Sequence, residues 1–249
     1  MTTTWSTTSG IAERAYAIAK AGSLKEALDN GSIGKIIDVS LSEALVLGLL
    51  KQGVRTYFAI FGHGSTDIAD VLRIYDEEGV THTINCRNEV EMAHAATALR
   101  WTYGETPAVI TSIGPGALQS MAASLAAVSN GIGVYHIYGD EKTSGEGYNM
   151  QQAPKSQQGI FGRMTADLSQ SYVLHTPEAL RDALRRGAQC VFHPAKAAPF
   201  FLMLPINTQP QKVTVNLAAL PEKPSSAIAG PCQPERLREA ADLLSSTSK

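Results

Sequence analysis

Residues 54–116 read VRTYFAIFGHGSTDIADVLRIYDEEGVTHTINCRNEVEMAHAATALRWTYGETPAVITSIGPG, and their periodicity decides the fold. An apolar, β-rich run at 54–61 and further runs at 80–86 and 107–113 alternate with stretches at 66–77 and 89–103 whose apolar residues fall at helical spacing. Short runs without polar alternation suit strands covered on both faces, and the longer segments between them suit crossover helices. The pattern extends outward to a helix at 40–52, a helix at 117–129 and a run at 133–138. After a polar stretch, a strand at 171–174, a helix from Pro177 to Arg186 and a strand at 199–204 complete it. The expectation is an α/β fold: a doubly wound, mainly parallel sheet with helices on both faces.

The flanks read differently. Apolar spacing from Ile11 to Leu28, ending at Asp29-Asn30-Gly31, predicts a surface helix, so 1–37 is taken as a helical leader and 38–206 as the main domain. Residues 207–233, rich in Pro with scattered Ser and Ala, read as a linker. Beyond it PERLREAADLL places Leu237, Ala240, Ala241 and Leu244 on one stripe. Residues 234–249 therefore read either as the start of a further domain or as a helix that folds back.

With 21 Lys+Arg against 23 Asp+Glu in 249 residues, the near-neutral balance argues against a nucleic-acid binder or a polybasic membrane-surface protein. Cys86, Cys190 and Cys232 are odd in number and widely spaced, with no zinc or disulfide pattern. The N-terminus lacks the regions of a signal peptide and no apolar run reaches 18 residues, so a cytoplasmic location is expected, with no metal site on this chain. GxxxxGK[ST], GxSxG and HExxH are absent, and no GxGxxG follows the first strand.

Four unusual stretches each follow a predicted strand: Phe61-Gly62-His63-Gly64, Arg87-Asn88-Glu89, Ser112-Ile113-Gly114-Pro115-Gly116 and Gly139-Asp140-Glu141. Ligands of open parallel sheets bind at the carboxyl ends of the strands, so these loops are expected to converge. Each also has a purely structural reading. Gly62 and Gly64 can serve a tight turn, Gly114-Pro115-Gly116 a helix start, and Glu89 with Glu91 a favourable first helical turn. His63 between two glycines is either a donor or acceptor to a substrate oxygen or a surface histidine without a role. Glu89 opens a helix crowded with small residues, which predicts close packing against another element and makes it the sharpest candidate for a proton-relay group.

On these residues, together with Met92-Ala93-His94-Ala95-Ala96 and Thr111 to Ala117, the chain resembles the N-terminal, pyrimidine-binding domain of thiamine diphosphate enzymes of the acetolactate synthase superfamily. It is most similar to the trihydroxycyclohexanedione hydrolase branch, and the resemblance covers about 38–206 plus the linker and opening helix of the family's central domain. The resemblance implies that Glu89 hydrogen-bonds N1′ of the aminopyrimidine and favours the 4′-imino tautomer, whose nitrogen takes the thiazolium C2 proton. It implies that His63, with Gly62 and Gly64, faces the reacting carbon, that Gly114, Pro115 and Gly116 line the pyrimidine end, and that 149–152 lie on the substrate side.

The family's diphosphate-binding domain carries a Gly-Asp-Gly motif and a downstream Asn for Mg²⁺; here Gly139-Asp140 continues with Glu141. The resemblance thus implies a split enzyme: a second subunit brings Mg²⁺, the diphosphate site and the rest of the central domain, in a dimer of heterodimers. The expected chemistry is 2-oxo acid decarboxylation and carboligation, or C–C hydrolysis of a diketone. FAD, structural in some relatives, finds no support in these residues. A non-catalytic scaffold or regulator keeping the fold, and an α/β domain for another small ligand, are the competing readings.

Overall fold

The computed structural model of the chain describes residues 10–144, 159–224 and 233–247. The leader is two helices rather than one: α1 (Ile11–Ala21) ends where Gly22 turns left-handed at φ 89°, and Ser23 caps α2 (Leu24–Asp29) by accepting the Glu26 N–H at 3.1 Å. Nor does it lie loosely on the surface. Arg14, Ala15 and Ile18 are buried, and the Arg14 guanidinium donates through Nε and Nη2 to both carboxylate oxygens of Glu43, each at 2.6 Å.

The chain then enters β1 (Ile36–Ser40) and α3 (Leu41–Lys51), capped by Ser40, followed by β2 (Thr56–Ile60), α4 (Thr66–Glu77) and β3 (His82–Asn85). Next come α5 (Glu89–Tyr103), β4 (Ala108–Thr111), α6 (Pro115–Asn130) and β5 (Tyr135–Asp140). After α7 (Ile160–Ala166) and β6 (Gln170–Val173), the helix expected from Pro177 begins as a 3₁₀ turn and becomes α8 (Leu180–Val191), leading to β7 (Phe200–Pro205). Six strands form one sheet in the order β3-β2-β4-β5-β7-β6, with every neighbouring pair parallel.

Both faces of this sheet are covered at its inner strands, β2, β4, β5 and β7, which is why these carry no regular polar alternation. Tyr57, Ala59, Ile110, Ile137 and Leu202 pack into the large core with α1, α3, α4 and α8. On the opposite face Phe58 and Val109 meet Met92 and Ala96 of α5, while Tyr138, Phe201 and Met203 meet Ala117 of α6 and Phe161 of α7.

Part of the segment read as a linker is built into the body. Lys212–Asn216 forms β8, which pairs antiparallel with β1 in register from Ile36↔Asn216 to Ser40↔Lys212. The Pro-rich composition hid a strand whose partner lies some 170 residues earlier. Past residue 232, α9 (Pro234–Ser246) forms as expected, and all of its side chains are exposed, Leu237 and Leu244 among them. Among the described residues, no helix is long and apolar enough to cross a membrane.

One buried polar group on the α6 side has a thermodynamic signature. His136 on β5 is fully buried; its Nδ1 lies 3.0 Å from Tyr138 Oη and 3.3 Å from Ser120 Oγ, and Nε2 has no partner among the described residues. Burial pushes its pKa down to about 3. The unfolded chain binds this proton below pH ~6.5 and the folded chain only below the depressed value, so stability is full above that window and falls as pH drops through it. The loss attributable to this ring approaches an order of 4–5 kcal/mol at the acid end. Urea unfolding between pH 7.5 and 4 should show a steeper decline for the native protein than for His136→Phe; parallel curves would refute the assignment.

Candidate functional site

The strand order places the site. The chain moves from β2 outward to β3, then returns to lay β4 on the other side of β2, with β5 beyond it. The loops leaving β2 and β4 therefore diverge over opposite faces at a topological switch point, where open parallel sheets receive ligands.

These two loops are joined at their base. The Ile113 N–H donates to the His63 carbonyl at 3.0 Å, and a Cβ on Gly62 would stand 3.0 Å from Ser112 Cβ. Gly64 must be glycine on two grounds: its φ is +83°, and a Cβ there would fall 2.3 Å from Ile113 Cγ1. Its carbonyl accepts the Nε2–H of Gln209 at 2.6 Å, a fully buried side chain that also donates to the Leu204 carbonyl at 3.1 Å. Gln209 thus ties the end of β7 to the loop after β2. It lies in the stretch read as linker, and nothing local in the sequence marks it.

Glu89 is brought to this place by helix packing. Asn88 caps α5 by accepting the Glu91 N–H at 2.8 Å, and Arg87 holds Glu91 in an exposed ion pair at 2.9 Å, which leaves Glu89 as the first-turn carboxylate turned towards α6. α5 and α6 pack against each other on the same face of the sheet, and both carry buried small residues, Ala93 and Ala96 on one and Gly116, Ala117 and Ser120 on the other. At the start of α6, Gly114 is buried and left-handed at φ 72°, and Pro115 takes the first helical position, where its missing N–H costs nothing. Gly116 follows. A Cβ at Gly116 would sit 2.8 Å from Glu89 Oε1 and 2.8 Å from Ser112 Oγ, so the bare backbone is a cradle flanked by a carboxylate and a hydroxyl. Ser112 belongs to a motif noticed in the sequence but was not singled out; only the helix approach reveals it.

His63 and Glu141 form the other side. The half-buried imidazole Nε2 lies 3.6 Å from Oε1 of Glu141, which follows β5 and is 6% exposed. The structure therefore brings Gly62, His63, Gly64, Glu89, Gly114, Pro115 and Gly116 to one edge of the sheet, with Glu141 added. The expected loop at 149–152 lies outside the described residues. Among the described residues no group of three or more His, Cys, Asp or Glu is placed to hold a metal ion.

Known proteins share this arrangement of sequence. Residues 39–160 match the family described as thiamine pyrophosphate enzyme, N-terminal TPP binding domain. The chain is 25% identical over 240 residues to 3D-(3,5/4)-trihydroxycyclohexane-1,2-dione hydrolase of Bacillus licheniformis, covering 87% of this chain and 36% of that protein. The hydrolase of the same name from Bacillus subtilis is 29% identical over 186 residues, covering 67% and 29%. The acetolactate synthase isozyme 3 large subunit of Escherichia coli is 31% identical over 114 residues, covering 46% and 19%. The chain spans about a third or less of the length of these curated relatives. Residues 39–160 belong to the family of thiamine pyrophosphate enzyme N-terminal TPP binding domains.

Proposed function

We propose that this chain supplies the pyrimidine side of a thiamine diphosphate site, with Glu89 as the carboxylate that holds and exchanges a proton with the ring. A second subunit contributes the diphosphate and Mg²⁺ side, in a dimer of heterodimers. The observation that carries the reading is the position of Glu89 Oε1 beside Ser112 Oγ over the side-chain-free backbone of Gly116.

The residues fit the polar edge of a heteroaromatic ring. Gly116 is bare, so the Glu89 carboxylate and the Ser112 hydroxyl both approach its backbone, and the pair offers a ring nitrogen a carboxylate oxygen and a hydroxyl side by side. When bound, thiamine diphosphate supplies a nucleophilic carbon and an electron sink for breaking a C–C bond next to a carbonyl. Glu89 keeps a proton at Oε1 or Oε2 available to a ring nitrogen, and Ser112 Oγ offers a hydroxyl beside it. His63, partly exposed at the mouth of the switch point, is placed to give or take a proton at a substrate oxygen. The diphosphate and Mg²⁺ half, which needs several oxygen ligands together with phosphate, is the part this reading gives to the second subunit.

Of the two reactions, C–C hydrolysis of a diketone is the first reading, supported by the longer alignment with the hydrolases. Decarboxylation with carboligation of a 2-oxo acid is the second, supported by the higher identity to acetolactate synthase over a shorter span.

Calorimetry tests the division of the site. Thiamine diphosphate with Mg²⁺ should bind weakly or not at all to the 249 residues alone, and well to their complex with a subunit carrying Gly-Asp-Gly and its downstream Asn. Micromolar binding by the chain alone contradicts a shared site. A complex that binds the cofactor yet turns over neither diketones nor 2-oxo acids supports the scaffold reading instead.

A further inference from the structure

Glu141 stands in an unusual electrostatic position. It follows β5 at the carboxyl edge of the sheet, its side chain is 6% exposed, and Oε1 is buried with no hydrogen-bond partner among the described residues. Its own N–H donates to Asp140 Oδ1 at 2.8 Å, which fixes the backbone but does nothing for the carboxylate. A buried carboxylate oxygen left without a donor is costly, so its orientation calls for one. The His63 imidazole faces it, with Nε2 3.6 Å away, one small rotation from hydrogen-bond contact.

The two residues are held by separate, rigid anchors. The His63 backbone is fixed through its carbonyl to Ile113 and through the Gln209 bond at Gly64, so the ring rather than the loop is free to turn. Glu141 sits at the end of a fully buried strand, with the N–H of Ile206 donating to the Asp140 carbonyl at 2.9 Å beside it.

We propose that Glu141 is the positioning residue for His63: its Oε1 accepts the Nε2–H, fixes one imidazole tautomer and leaves Nδ1 as the ring's open acceptor for a substrate proton. The second nitrogen of a functional histidine is commonly set in this way by the hydrogen bond that the first one makes. The importance of the pair for turnover rests on the proposed function above; the pair itself does not.

The test uses the 249-residue chain labelled with ¹⁵N-histidine, with the His63 signals among the 6 histidines identified by loss in His63→Gln. Near pH 8 the native ring should show a single tautomer with an observable, slowly exchanging Nε2–H. Glu141→Gln, which keeps an acceptor oxygen and the side-chain shape, should retain the tautomer but shorten the lifetime of that proton. Glu141→Leu should lose the Nε2–H signal and move both ring nitrogens to averaged shifts. If the leucine variant fails to fold, the shortened lifetime in the glutamine variant carries the test. Equal Nε2–H lifetimes in the native and glutamine proteins overturn the proposal. Because no cofactor is needed, that result is separate from any failure of turnover: a native-type His63 signal in a complex without activity keeps the pair and rejects the enzymatic reading.

Discussion

In the proposed two-subunit complex, Glu89→Gln is expected to lower kcat by about 10²–10⁴-fold, the range by which a positioned proton-transfer group accelerates a reaction. Glutamine preserves the length and shape of the side chain over Gly116 and beside Ser112 Oγ, and it replaces one carboxylate oxygen with an amide nitrogen that cannot relay a proton. Assembly should therefore survive, as read by size-exclusion chromatography, because Glu89 lies at the start of α5 and the buried contacts of that helix are made by Met92, Ala93, Ala96 and Thr97. Unchanged turnover would remove Glu89 from the mechanism. A useful companion is Gly116→Ala, whose Cβ would press on both Glu89 Oε1 and Ser112 Oγ at 2.8 Å. It should mimic the loss kinetically while leaving the carboxylate chemically intact, which separates position from proton.

The second large effect is on stability. Arg14 and Glu43 are buried at 7% and 3% exposure, paired twice at 2.6 Å, and Tyr75 Oη donates to Glu43 Oε1 at 3.0 Å. Burial and the adjacent Glu43 carboxylate push the Tyr75 phenol well above its ordinary range, so it stays a donor throughout the accessible pH range. Arg14→Met keeps the length of the stem and strands the Glu43 charge in the core between α1, α3 and α4. Breaking a buried pair from one side costs about 3–5 kcal/mol, whereas replacing both partners with apolar groups is often close to neutral. Urea unfolding of Arg14→Met should show that loss, and adding Glu43→Leu with Tyr75→Phe should recover most of it. A single-variant cost below about 1 kcal/mol would mean that water reaches Glu43.

Much of the architecture was legible in the sequence because the four inner strands, β2, β4, β5 and β7, are buried on both faces, and such strands announce themselves as largely apolar runs. The positions of Gly62, Gly64, Glu89 and Gly116 at one edge followed from a single rule about where parallel sheets bind ligands. Other features depend on contacts no local pattern encodes. The leader looked like one surface helix because Gly22-Ser23 interrupts a continuous apolar stripe without changing its phase, and because Arg14 reads as a surface residue until Glu43 is found beside it. β8 was hidden by its Pro-rich surroundings and its distant partner, and Gln209 by lying next to it. The cradle formed by Glu89, Ser112 and Gly116 exists only because α5 and α6 approach closely, which small residues permit but do not specify.

The pairing of Ile36–Ser40 with Lys212–Asn216 also bears on how this body can be handled by evolution or by an engineer. Adjacent strands stand about 4.8 Å apart, so residues 36–216 start and finish side by side, while the leader helices that precede β1 pack onto the same body. A cassette cut from this chain therefore has to carry α1 and α2 with it, since Ala15, Ile18 and Leu24 belong to its core. Conversely, whatever polypeptide is attached beyond residue 216 departs from the same corner at which residue 36 arrives.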